Sequence, residues 1–309
     1  MNKHLSHLIA FLVMLAVFAV IRFPYDEYAE DFFSQVKENA RKQGLFLDAA
    51  QVDLQFPGRV VLNNVKLVLP FSPWPIPLHF DRTTIIPRLI SLLRLRQGWR
   101  GTLDLYNGVL KLSFAQLGEK DKIQLKAEGK AIDLGQHPLL GSSGINGLFA
   151  VTLDGVFRES TDPARKPRPL EPQFSVERAE ASVSVENGSY GGGGKIAGLV
   201  AVPAATSINL ALKAVMEGPR VTVPELRCFS SLGEVTGTGA LQTLDLVRIQ
   251  SMKWDITLKL TPQGAQAFGG YFALAARLPV EQNVRNFRIA IEQIKGDSLP
   301  KIAVSTLDR

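Results

Sequence analysis

The chain has 309 residues, 46% of them apolar, with 35 Lys and Arg against 29 Asp and Glu, a composition that excludes wholesale disorder. The excess of six positive charges contains no run of five like charges, so the sequence lacks the clustered basic face that nucleic acid requires. Cys228 is the single cysteine, which excludes an intrachain disulfide and a zinc site built from cysteines.

Leu8–Ile21 is an unbroken apolar run. Taken alone it gives ~21 Å of helix, short of the ~30 Å hydrocarbon core; from Leu5 through Tyr25 it gives ~31 Å, which spans. Leu8, Phe11, Leu12, Leu15, Phe18 and Ile21 are the predicted anchor, Arg22 snorkels, and Phe23, Tyr25 and Tyr28 sit at headgroup depth. Lys3 precedes the run, and Asp26, Glu27, Glu30 and Asp31 come soon after it. The expected orientation is therefore N-terminus in the cytoplasm and remainder exported. The rival reading is a cleaved signal ending at Val17-Phe18-Ala19. Both readings export the body of the chain.

The predicted organisation is an anchor over 1–24, an amphipathic helix over 25–44 and a β-rich domain over 45–309. In the helix, Ala29, Phe32, Phe33, Val36 and Ala40 recur at helical spacing, Arg41 and Lys42 suit the C-terminal dipole, and Gly44 is a natural stop. The period then changes from 3.6 to 2. Val52, Leu54 and Phe56 alternate with polar residues, as do Leu110, Leu112 and Phe114, or Trp254, Ile256 and Leu258. About a dozen such segments, each with one dry face, predict antiparallel strands. Asn107-Gly108, Asp154-Gly155 and Asn187-Gly188 are the expected turns. Helices are predicted only over Pro87–Leu95 and from Pro262 to about Phe272, the latter capped by Thr261. So few helices cannot cover the dry face of a dozen strands. The predicted fold is mainly β: a large curled antiparallel sheet, closed as a sandwich or barrel or left as a trough, with two or three short helices.

Thr161–Gln173, with four prolines, either divides two lobes (46–158 and 174–309) or forms a long hairpin loop in one sheet; the same strand character on both sides favours the loop. Phe71–Phe80 (FSPWPIPLHF) reads as a rigid apolar connection that caps an open sheet or offers a docking site.

No pattern of reactive residues points to an enzyme. His79 and His137 stand far apart, without metal-ligand spacing. Ser189–Gly198 (SYGGGGKIAG) has Ile196 where a phosphate loop needs a hydroxyl after its Gly-Lys pair, and reads as a glycine-rich turn. Cys228, between apolar neighbours, reads as a small buried residue. No catalytic residue, cofactor or metal is predicted. The working feature is the dry strand surface, and Val52, Leu54, Phe56, Val183, Val185, Trp254, Ile256 and Leu258 are the predicted lining of an apolar groove.

The RFPYDEY exit from the anchor, the helix after it, LDAAQVDLQFPGRVVLNNVKLVLP, NGSYGGGGKIAG and TLKLTPQGAQAFGGYF together resemble the type II secretion system protein N family (GspN). That family looks related to AsmA-like proteins, whose curled sheets form apolar grooves. The resemblance implies a single-pass inner-membrane protein with its bulk in the periplasm, serving export of folded proteins beside other secretion-system proteins. An AsmA-like lipid-binding or lipid-transfer protein is the alternative it leaves open.

Overall fold

The computed structural model describes residues 25–42, 44–55, 58–69, 75–88, 98–118, 122–159, 174–196, 200–243, 249–277, 285–294 and 300–307. The chain divides into two compact units, Met1–Pro87 and Arg88–Arg309. The predicted anchor, Phe56, the helix over residues 89–95 and the loop 161–173 lie outside the described residues. No described helix is long and apolar enough to cross a membrane.

In the first unit, α1 (Tyr25–Lys42) forms where the spacing predicts, ahead of β1 (Phe46–Gln55), β2 (Arg59–Leu69) and β3 (Ile76–Pro87). Gly44 ends the helix at φ +77°. Its N–H donates to the Arg41 carbonyl at 3.0 Å and that of Leu45 to the Ala40 carbonyl at 2.9 Å, so two carbonyls of the last turn gain partners. Ala29 and Phe33 are buried, Val36 and Ala40 half-buried, and α1 packs on β1. The Phe32 side chain is outside the described set. The three strands form an antiparallel meander with Ala49, Val65 and Phe80 in one row and Val52, Leu62 and Thr83 in the next. Val60, Val61, Leu62, Val65 and Phe80 are all buried, so β2 is covered on both faces. The third strand corrects two expectations. Ile76–Phe80 is not a connector but the start of β3, with Pro77 opposite Val68. Pro87 does not open a helix; it ends that strand, which sheet pairing extends to Ile85.

The second unit holds β4 (Gly98–Leu105), β5 (Gly108–Gln116), β6 (Lys122–Asp133), β7 (Ile145–Glu159), β8 (Phe174–Tyr190), β9 (Lys195–Ile196), β10 (Val200–Ala201), β11 (Ala205–Glu217), β12 (Arg220–Ser230), β13 (Gly233–Thr243), β14 (Ile249–Leu260), β15 (Asn286–Gln293) and β16 (Lys301–Thr306). β4–β8 and β11–β16 pair in chain order, each antiparallel to the next, while β9 and β10 make a separate two-stranded hairpin. Among the described residues β16 pairs only with β15, so these eleven strands form an open sheet rather than a closed barrel. Glu159 pairs with Phe174, so the proline-rich stretch joins two neighbouring strands of one sheet.

The predicted turns fare unequally. Tyr106 and Asn107, at φ +48° and +60°, make the two-residue turn between β4 and β5, one position earlier than the Asn-Gly reading. Gly108 is required for space instead: a Cβ there would stand 2.6 Å from the Ile132 backbone. Asp154-Gly155 is no turn. It lies inside β7, paired with Glu180 and Ala179, because strand alternation continues on both sides and the Phe157 ring crosses over Gly155. Asn187-Gly188 lies inside β8, where Asn187 at φ +52° shifts the register against both β7 and β11. It is a bulge, not a turn. The glycine-rich stretch does behave as a connection: Gly191–Gly194 leave β8 ahead of the β9–β10 hairpin, and the Gly194 N–H donates to the Tyr190 hydroxyl at 2.6 Å.

The helix after β14 is longer than predicted. α2 (Pro138–Ser142) is succeeded later in the chain by α3 (Pro262–Gly264), a π turn (Ala265–Gly269) and α4 (Gly270–Ala275) in one continuous run. Thr261 caps that run as expected: its Oγ1 accepts from the Gly264 N–H at 3.1 Å and donates to the Ser231 carbonyl at 2.7 Å. The helical segment lies over Leu258, Leu260 and Phe287, with Ala265, Phe268 and Phe272 packed against them.

Candidate functional site: the two faces of the open sheet

Directly paired residues of an antiparallel sheet point to the same face, so the register can be traced from strand to strand. One row runs Leu103, Leu110, Gly129, Val151, Val183, Leu212, Leu226, Gly237, Ile256, Ile289, Val304. It crosses all eleven strands without a polar residue. At ~4.8 Å per strand, ten spacings make it ~48 Å long. The next row runs Ile132, Phe149, Val185, Leu210, Cys228, Val235, Leu258, Phe287, Thr306. On the other side lies a row from Trp99 and Phe114 through Leu125, Gly155, Ala179, Met216, Val221 and Leu241 to Met252. Trp99 and Phe114 stack at 5.9 Å.

Burial changes along these rows. Leu258 is 8% exposed and Phe287 fully covered beneath the helical segment, where the Phe272 and Phe287 rings stand 5.3 Å apart. Leu110, Phe149, Val151, Val183, Val185, Leu210 and Leu212 are only half-buried. They pack against one another along and across strands. Among the described residues of the second unit no long helix or second large sheet lies over them.

The opposite face is polar and nearly self-neutral. Thr102, Lys111, Glu128, Thr152, Ser182 and Lys213 form one row, and Arg100, Ser113, Lys126, Asp154 and Glu180 the next. A groove of about 710 Å³ runs along them. Lys126 meets Asp154 at 2.5 Å, and Thr152 and Ser182 hydroxyls lie 2.7 Å apart. The Lys126 ammonium holds the Asp154 carboxyl below the usual carboxylate range, and Lys130 does the same for Glu128. Ion pairs between exposed side chains such as these contribute little to stability and mark a solvated surface.

The predicted lining residues separate accordingly. Val183 and Ile256 fall in the first row, Val185 and Leu258 in the second, and Trp254 in a row with Gly239, Ile291 and Ile302 on the same face. The Trp254 ring covers Gly239, where a Cβ would collide with it. Val52 and Leu54 belong to the first unit and are half-buried there. The reading of single strands missed the middle of the rows: Leu103, Val151, Leu212, Leu226 and Val304. Alternation marks them as dry, but only the register shows that they align. In β12 the alternation itself breaks, because a bulge at Pro224 moves the dry side from Val221 and Val223 to Leu226 and Cys228.

The residues with reactive side chains take structural roles. His137 is buried and its Nδ1 accepts from the Leu139 and Leu140 N–H groups at 3.3 and 3.4 Å, capping α2. Cys228 is half-buried in the second row, and burial pushes its thiol above the ordinary value. Among the described residues no three His, Cys, Asp or Glu side chains stand together as a metal site. No protein-family model, no curated protein and no solved structure matches this chain.

Proposed function

We propose that the chain is a non-enzymatic, inner-membrane-tethered component of the type II protein secretion system that scaffolds or assembles other parts of the machine in the periplasm. Leu8–Ile21 would hold it to the membrane, and the sheet would present its surface to the other proteins. The reading is supported by the resemblance in layout together with one observation: an apolar row aligned across eleven strands, whose residues from Leu110 to Leu212 are only half-buried, as an extended recognition surface requires. The experiment is deletion in a secreting Gram-negative cell that encodes the chain. Loss of export across the outer membrane, restored by the intact chain, is expected; normal export with a normally assembled apparatus would sink the proposal.

A second reading, an AsmA-like lipid-binding protein, is favoured by the half-buried stretch from Leu110 to Leu212. An acyl chain laid along it would gain ~0.8 kcal/mol for each CH₂ removed from water. Mass spectrometry of gently purified chain checks this: co-purifying lipid that is lost on Val183→Asp supports it, and lipid-free protein removes it.

A further inference from the structure

We propose that β16 is a self-pairing edge, and that two copies of the chain join there through antiparallel β16 strands centred on Val304. The sheet order ends at β16, and no described strand pairs with its outer side. The Leu307 N–H donates to the Asn286 carbonyl at 3.1 Å, which fixes the hydrogen-bonding phase of the strand. Lys301, Ala303 and Ser305 therefore direct their backbone groups inward to β15, and Ile302, Val304 and Thr306 direct theirs outward.

A second observation falls at the same place. Ile302 is 63% exposed, and Leu274 of the adjoining α4 is 69% exposed, with Tyr271 beside it at 53%. Ile302 and α4 lie on the same apolar face of the sheet, since α4 packs over Phe287 and Val304. No charged residue occurs from Thr261 to Ala276, so the outer side of this helix is uncharged as well.

These two features together select the occupant. A bilayer could accept Tyr271 and Leu274 but cannot satisfy outward-facing N–H and C=O groups, which is why open sheet edges do not enter hydrocarbon. A protein strand satisfies both at once. A second copy of the same edge fits without conflict: a two-fold axis at Val304 sets Ile302 opposite Thr306, Ala303 opposite Ser305, and Lys301 opposite Leu307, with no like charges facing. Ile302, Val304 and Thr306 of each copy then extend the apolar rows of the other.

The test uses the full chain in detergent micelles. Light scattering corrected for detergent should give twice the chain mass. In a Cys228→Ser background, Val304→Cys should oxidise to a disulfide-linked dimer, while Val109→Cys, exposed on the opposite face, should not. Val304→Pro should weaken association at least tenfold yet leave the thermal transition in place, because the N–H it removes points away from β15. Leu274→Lys and Ile302→Lys should weaken it independently, and they decide the matter if the proline variant fails to fold. A monomeric chain without Val304 cross-linking overturns the proposal. So does a dimer indifferent to Val304→Pro and both lysine variants, or an edge occupied by a different protein's strand.

Discussion

β13–β16 and β5–β11 carry the same apolar rows, yet only the first group is covered. Where the helical segment lies over the sheet, Leu258 and Phe287 are buried; five strands away in the same row, Phe149 and Val185 are only partly buried. Strand chemistry does not set this difference, since both regions alternate dry and wet residues. The segment that each strand runs into sets it. β14 leads into sixteen uncharged residues with a cap at Thr261, whereas β6 leads only into the short turns of helix over Leu134–Gln136 and Pro138–Ser142, and β8 into Gly191–Gly194. A sheet face is thus a core in one place and an available surface in another, with the same residues on both.

The sharpest way to break this comparison is to truncate one side chain in each region. Phe287→Ala should destabilise the fold by ~3–5 kcal/mol, whereas Phe149→Ala, only partly buried, should cost less, ~1–3 kcal/mol. Denaturant unfolding of both variants measures the gap, and equal losses would mean that the β5–β11 face is covered after all. Gly264→Ala comes next. Its Cβ would collide with the Leu232 carbonyl, so despite the better helix propensity of alanine a loss of ~1–3 kcal/mol is expected. Thr261→Ala should cost ~1 kcal/mol by removing the cap and the bond to Ser231, and Thr261→Ser should recover most of it.

The smallest effect belongs to the wet face. Arg288 clasps Asp255 with contacts of 2.9 and 2.5 Å and holds its carboxyl below the usual range. A depressed carboxylate stabilises the fold above the unfolded-state value near pH 4. That contribution disappears as pH falls through the lower folded value. Both side chains are well exposed, so Asp255→Asn should change stability at neutral pH by no more than ~0.5 kcal/mol, and less in high salt. A larger, salt-insensitive effect would show that this face is not simply solvated.

The sequence made some of this legible and hid the rest for identifiable reasons. Period-2 alternation located the strands, and the Ala29–Ala40 stripe and Gly44 located α1, because both signals are local. Asp154-Gly155 misled because the same dipeptide serves a hairpin turn and a site where an aromatic ring crosses the backbone; the choice depends on Phe157 and on the strand opposite. Asn187-Gly188 misled in a similar way, its left-handed residue producing a bulge within β8 instead of a reversal. The alignment of Val151 with Val183, Leu212 and Ile256 depends on bulges at Asn187 and Pro224, whose register shifts no single strand records. Trp254 and Leu258 could be named as dry residues from sequence, but not that one lies over Gly239 and the other beneath Phe272.

The chain-order pairing of β4–β8 and β11–β16 has a consequence for how such a protein is made. Each strand docks on the one emitted just before it, so the growing edge never waits for a distant segment. A polypeptide that emerges in chain order is pleated as it lengthens, hairpin by hairpin. The helical lid then arrives when β14 is already in place, and β15, with Phe287, and β16 complete the surface beneath it afterwards.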